Sequence, residues 1–300
     1  VIIDVHAHYY PQEYVQRIGR TDLPLPSALL GAQTIGERLE LLDSAGIDAQ
    51  VLSVSQAQPY LPDEPAAADS ARLVNDLYVQ LCEAHPGRFY AFAALPLPHI
   101  DAALAELDRT AGSPLVVGIA LGCSVAGRQL DDPLFEPLYA ELDRRESRVF
   151  LHPLGLDSNP LLAGHRLAWL VGAPFEDTVA ALRLILSGVT SCYPGIRFIV
   201  PHLGGTIPFL LARLARQQSQ DIAGALRSMY FDTVSGSADA LGSACHAYGA
   251  DRLMFGTDYP YCSEPQFRRH LSYLDEAGLD GAALDQIRGE RAAAVLGLTV

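Results

Sequence analysis

Four histidines and one aspartate sit where metal chemistry would need them. The chain opens Val1-Ile2-Ile3-Asp4-Val5-His6-Ala7-His8-Tyr9-Tyr10-Pro11, an apolar run ending in two histidines two positions apart. Successive side chains of a strand point to opposite faces, so His6 and His8 share a direction and Ala7 points away. His152 ends another apolar run in "VFLHP", His202 follows one in "FIVPHLGG", and Asp258 follows one in "LMFGTDYP". Three imidazoles and a carboxylate make a set suited to Zn²⁺, with Mn²⁺ or Fe²⁺ also compatible. The fourth histidine is then free for acid–base work, a role that suits His202, as does hydrogen bonding behind the ligands. Any one of these residues alone reads more readily as a packed, hydrogen-bonded core group. Five together without a compensating ion would leave costly desolvated polar groups.

Residues spread from position 6 to position 258 need a fold that gathers them. Short apolar runs alternate with helical patterns eight times. Val1–Val5 precedes Thr34–Ala45, with Gly46 as a C-cap; Gln50–Ser55 precedes a helix over Pro65–Ala84; Phe89–Leu95 precedes Asp101–Thr110; and Leu115–Leu121 precedes Pro133–Glu146. The second half pairs Arg148–Leu151 with Pro174–Leu186, Arg197–Val200 with Ile207–Arg216, and Met229–Phe231 with Ala238–Tyr248, and Arg252–Phe255 leads into the last helices. Strict alternation implies a parallel sheet covered by helices, and eight units close as an α/β fold, a (β/α)8 TIM barrel forming one domain over residues 1–300. A doubly wound open sheet would carry G-x-G-x-x-G after its first strand, and none stands there. All five polar residues fall at C-terminal strand ends, which is one mouth of a barrel. The long connections Tyr9–Gln33, Gln56–Glu64 and Pro153–Ala173 are candidate lids over that mouth.

Composition removes several classes. A formal net charge of −14 over 300 residues argues against a nucleic-acid surface. No apolar run approaches the ~20 residues of a membrane span, and no secretory leader pattern opens the chain, so a cytoplasmic enzyme is expected. Five scattered cysteines with no C-x-x-C pair argue against a disulfide framework or a zinc ribbon. All 21 basic residues are arginine. That excludes Schiff-base, pyridoxal-phosphate, P-loop and carbamylated-lysine chemistry. Without a lysine bridge, and with no carboxylate in the strand-four end "GIALGCS", one metal is favoured over two; Cys123 reads as a thiolate bridge or as a buried thiol. His85, His99, His246 and His270 read as solvated or packed, and His165 as a possible pocket residue.

The stretches "DVHAHYYP", "FLHPLG", "PHLGGTIPF" and "FGTDYPY", in this order, resemble the amidohydrolase superfamily, within it the branch of metal-dependent, non-oxidative decarboxylases that includes the aminocarboxymuconate-semialdehyde and 6-methylsalicylate enzymes. "HPGRFYAFAALPL", "AWLVGAPFEDT" and "LSGVTSCYPGIRFIVPH" extend the likeness over nearly the whole chain. The resemblance implies that His6, His8, His152 and Asp258 hold Zn²⁺ or another divalent ion such as Mn²⁺, and that His202 is the acid–base residue. It implies Trp169 as a pocket wall, and Arg213 as an arginine reaching a neighbouring subunit's substrate carboxylate, hence a homodimer. Two departures leave the small carboxylic acid substrate open. The loop after strand one is shorter and lacks the basic insert of the muconate-semialdehyde enzyme, where Arg17 or Arg20 offers a substitute or a solvated charge. Both positions of the first motif are His, where some relatives carry Glu. The leading expectation is a decarboxylase of a small aromatic or unsaturated acid in which His202 or Asp258 delivers the proton, with Tyr9, Tyr10 and Tyr259 read first as packing groups and second as further walls. A mononuclear hydrolase of a lactone, ester or amide is the alternative, and a non-catalytic protein retaining a structural metal is the third reading.

Overall fold

The computed structural model describes residues 1–19, 34–155, 160–218 and 220–298. Eight strands form one parallel sheet: β1 (Ile3–His8), β2 (Ala49–Ser53), β3 (Phe89–Ala94), β4 (Val116–Gly122), β5 (Arg148–His152), β6 (Arg197–Val200), β7 (Tyr230–Asp232) and β8 (Leu253–Met254). Each pairs with its successor. Val5 N–H to Phe255 O at 2.9 Å, His8 N–H to Tyr259 O at 2.7 Å and a parallel bridge between Ala7 and Tyr259 return the last strand to the first. The ring closes as the expected (β/α)8 barrel.

Two apolar layers hold it. Val5, Val51, Phe92, Phe150, Ile199 and Met254 form the inner one, with the Phe92 and Phe150 rings stacked at 5.2 Å. Leu52, Phe89, Leu121, Phe198 and Phe231 face the helices on the outer side. Full burial of such a side chain is worth about 1.5–3 kcal/mol. Local signals agree with this packing. Thr34 and Glu37 close a capping box at the start of helix Ile35–Ala45, and Gly46 ends it in the left-handed region at φ 72°. The pattern over Pro133–Glu146 divides into a 3₁₀ turn, Pro133–Phe135, and a helix, Glu136–Arg144, because Pro137 has no N–H to continue the ladder from Pro133. Helix Gln12–Ile18, a small hairpin pairing Ser124–Val125 with Arg128–Gln129, and helix Ile222–Leu226 occupy connections read from sequence as loops.

The strand that carries the two histidines is not regular. Asp4 pairs with Gln50 and Ala7 with Leu52, so three steps on β1 oppose two on β2. Such a bulge resets the alternation of side chains. Val5 lies in the inner layer and the His6 ring sits 5.0 Å from that of Phe150, also inner, whereas Ala7 belongs to the outer layer. Consecutive residues Val5 and His6 therefore both face inward, and His8 regains the inner face beside Ser53.

Of the expected lids, Gln56–Glu64 is fully described and begins with a buried turn, whereas parts of Tyr9–Gln33 and Pro153–Ala173, with Arg20, lie outside the described residues.

Candidate active site

The barrel mouth brings His6, His8, His152 and Asp258 together. His6 Nε2 and His8 Nε2 are 3.1 Å apart, and Asp258 Oδ1 lies 3.2 Å from the first and 3.0 Å from the second. With a ring nitrogen of His152 included, all four donor atoms lie within 4.8 Å of one another. Partners behind them fix their orientation. His6 Nδ1 donates to Asp232 Oδ2 at 2.6 Å and His152 Nδ1 to the Pro153 carbonyl at 2.7 Å, while His8 Nδ1 meets Ser53 Oγ at 2.9 Å. A carboxylate and a carbonyl only accept, so the first two contacts leave the lone pair on Nε2. Ser55 Oγ stands 3.1 Å from His152 Nε2.

Asp258 is placed by the seam itself. Its backbone N–H donates to His6 O at 2.8 Å, and it adopts φ 59°. Gly256 allows the close approach, since a Cβ there would fall 2.9 Å from the His6 Cβ. Below the cluster, Asp4 accepts from the His6 N–H and from Thr257 Oγ1, and the buried Arg38 guanidinium donates to the His8 carbonyl and to Gln50.

His202 approaches from the side. Its N–H donates to Asp232 Oδ1 at 2.8 Å and its Nδ1 to Asp177 Oδ2 at 2.8 Å, and its Nε2 lies 3.8 Å from Asp258 Oδ2. The side chain keeps 17% of its surface exposed, so it faces the mouth.

The electrostatics favour a cation. Burial alone would depress His6, but Asp232 and Asp258 outweigh it and push it up to about 9. Burial pushes His8 down to about 4 and His152 well below its usual value. Burial opposes charge on Asp258 too, yet His6, His202 and His8 hold it well below the usual carboxylate range. Carboxylates that favour positive charge, beside His8 and His152, which burial disposes against taking a proton, are what a divalent ion satisfies. The donor set of imidazole nitrogens and one carboxylate oxygen fits Zn²⁺ or Mn²⁺. For His202, burial is opposed by Asp177 and Asp258, which hold it well above its usual value.

The remaining sequence candidates scatter. Trp169 lies on a π-helical turn, Ala168–Gly172, and packs on Gly155, where a Cβ would be 2.9 Å from its ring. Arg213 is exposed on helix Ile207–Gln217 and makes no ion pair among the described residues; Arg17 is exposed on helix Gln12–Ile18. Of the three tyrosines, Tyr10 flanks the cluster, its ring stacked 6.4 Å from that of His8. Tyr9 and Tyr259 turn outward onto Arg38, and Tyr261, hydrogen-bonded to Tyr10 at 2.7 Å, takes the inner place 5.6 Å from the His8 ring. His165 is exposed. Cys123 stands outside the four-residue cluster as a buried thiol pushed well up by burial and bonded to Asp177. Sequence reading missed Asp232 and Asp177. Asp232 ends β7 as His152 ends β5, so the strand-end rule could have found it. Asp177 sits inside a helix, where no such rule applies.

A family model described as "Amidohydrolase" matches residues 3–298. The gamma-resorcylate decarboxylase of Rhodococcus jostii RHA1 is 33% identical over 268 residues, covering 79% of this chain and 80% of that protein. The 6-methylsalicylic acid decarboxylase of Penicillium expansum is 27% identical, covering 91% and 89%. Among solved structures, the dihydroxybenzoic acid decarboxylase of Polaromonas sp. JS666, with bound manganese and the inhibitor 2-nitroresorcinol, superposes with a TM-score of 0.84 at 25% identity, covering 99% of this chain and 97% of that one.

Proposed function

Because the chain belongs to the amidohydrolase family, we propose that it is a metal-dependent, non-oxidative decarboxylase of a small aromatic or unsaturated carboxylic acid. His6, His8, His152 and Asp258 hold one divalent ion in this reading, Zn²⁺ first and Mn²⁺ next. The observation that carries it is the convergence of three oriented imidazoles and Asp258 beside His202, whose Nδ1 is held by Asp177.

A divalent ion held by those four residues would supply Lewis acidity toward a bound carboxylic acid. His202, held well above its usual value by Asp177 and Asp258, presents Nε2 to the mouth and gives its proton to the carbon that bears the carboxylate. The carbon–carbon bond then breaks, its electron pair returns to the substrate's unsaturated system, and CO₂ leaves. His202 recovers a proton from solvent, so each turnover consumes one proton and releases one CO₂. Asp258, 3.8 Å from Nε2, steadies the charged imidazole until transfer. Trp169, Tyr10 and Tyr261 are the apolar walls.

The same reading makes the protein a homodimer of one-domain subunits spanning residues 1–300. Leu170, Val171, Phe175, Val179 and Leu186 are exposed along one helical stretch, and Phe209 is 89% exposed on the helix that carries Arg213. Positions 209 and 213 share a helix face, so a second copy covering Phe209 meets Arg213 and can receive it at its own substrate carboxylate. Among the described residues no helix is long and apolar enough to cross a membrane. The free cysteines fit a reducing compartment, the cytoplasm in this reading.

The test is a panel of hydroxybenzoates, muconate-type acids and lactones offered to metal-loaded protein, with CO₂ release measured separately from ring opening. CO₂ from at least one acid is expected. Lactone or amide turnover with no CO₂ from any acid would replace this reading by the hydrolase. Metal analysis after mild purification is expected to give about one ion per chain; less than about half, with no gain on adding Zn²⁺ or Mn²⁺, contradicts the site.

A further inference from the structure

Helix Ala173–Leu186 lies outside the barrel, yet three consecutive residues near its start reach three parts of the mouth. Glu176, buried, accepts from the Leu154 N–H at 2.9 Å and the Gly155 N–H at 2.8 Å. Those two amides begin the connection that leaves His152, and Gly155 is where Trp169 packs. Asp177 has no exposed surface and accepts from His202 Nδ1 at 2.8 Å on one oxygen and from Cys123 Sγ at 3.4 Å on the other. Thr178 Oγ1 accepts from the Thr206 N–H at 2.8 Å and donates to the Pro174 carbonyl, which ties the turn after His202 to the helix.

We propose that Glu176 and Asp177 are positioning residues for two separable events: Glu176 sets the wall against which substrate binds, and Asp177 sets the histidine that transfers the proton. The inference rests on the decarboxylase reading only for the identity of the reaction. A buried carboxylate facing an imidazole N–H fixes both the ring's orientation and its protonated nitrogen, so Nδ1 stays occupied and Nε2 is the only nitrogen free to exchange a proton with a bound acid. Cys123 occupies the second oxygen of Asp177, which prevents the carboxylate from rotating away from His202. Glu176 acts at a different point. Its two oxygens each take one backbone N–H, so the start of the His152 connection is pinned in one conformation and Trp169 has a fixed floor. Neighbouring side chains of one helical turn thus serve binding and chemistry apart.

The test uses Asp177→Asn and Glu176→Gln, kept at full length and metal-loaded, on whichever acid the wild-type enzyme decarboxylates. Asp177→Asn is expected to lower kcat by about 100-fold or more with KM within about threefold; Glu176→Gln is expected to raise KM by about tenfold with kcat within about threefold. Parallel changes of kcat and KM in both variants, or kcat within threefold of wild type in Asp177→Asn, overturn the assignment. Two measurements on the wild-type protein need no turnover and stand if a variant fails to fold or if the substrate reading fails. Histidine ¹⁵N NMR of the metal-free chain, with His202 assigned through His202→Gln, is expected to show Nδ1 protonated, and an unprotonated Nδ1 refutes the role of Asp177. Amide exchange is expected to find Leu154 and Gly155 protected, and fast exchange at both refutes that of Glu176.

Discussion

Replacing Asp232 with Asn removes a charge 2.6 Å from His6 Nδ1 while keeping its shape, and the consequences for metal binding can be worked out with their sign. In the wild type, His6 lies at about 9, so an ion arriving below that pH must displace its proton. His8 at about 4 and His152 well below its usual value are already neutral and add nothing to this competition near neutrality. The apparent affinity should therefore climb about tenfold per pH unit between roughly pH 5 and 8 and level off above about 9. At pH 7 the proton costs about two units, or about 2.7 kcal/mol, a hundredfold below the plateau. Asp232→Asn lowers the His6 value and weakens the competition, so its plateau begins at lower pH. The plateau itself falls, because a carboxylate behind a ligating imidazole is worth about 10–100-fold in affinity. The two curves should stand furthest apart at pH 9 and draw together toward pH 6. Competition with a chelator of known affinity, run at each pH with Mn²⁺ or Zn²⁺, measures both. A wild-type affinity independent of pH between 6 and 8, or an unchanged plateau in Asp232→Asn, refutes the reasoning.

Three further outcomes follow from the same geometry. His202→Gln should lower kcat by about 10²–10⁴-fold while metal content by elemental analysis stays at the wild-type level, since His202 lies beside the four-residue cluster and outside it. Phe150→Ala opens a cavity against Phe92 and the His6 ring and should destabilise the fold by about 3–5 kcal/mol in denaturant titration. If a second copy covers Phe209, which is 89% exposed, Phe209→Glu should shift sedimentation from dimer to monomer and lower kcat/KM by as much as Arg213→Ala does.

Strand and helix order was legible because a parallel barrel writes itself as alternating periodicities, and the His6, His8, His152 and Asp258 cluster because each member follows an apolar strand run. The phase of β1 was not. His6 and His8 end the strand as expected, but its pairing is interrupted by a bulge between Asp4 and Ala7. A two-residue period joins His6 to His8 correctly and would wrongly join His6 to Asp4, which faces outward onto Gln50. Nothing in the sequence marks that phase change. Tyr9 and Tyr259 pack, as sequence context favours for such tyrosines: alternate side chains leave the mouth, and a buried Arg38 lies against both rings. Asp177 was hidden because its contact with His202 joins a helix to a turn across the top of the barrel, and such contacts leave no period behind.

A closed barrel has a seam, and here the seam and the cluster coincide. The last strand is only two residues long, and its link to β1 depends on Thr257 holding Asp4, on Asp258 holding the His6 carbonyl, and on His8 holding Tyr259. An ion shared by His6, His8 and Asp258 would clasp that joint directly, contributing about 4 kcal/mol at a free concentration a thousandfold above its dissociation constant. Its donors come from distant parts of the chain, so the contact they make is among the most non-local in the fold. Metal uptake during refolding would then report closure of the ring, and a chelator would act first as a wedge at the joint.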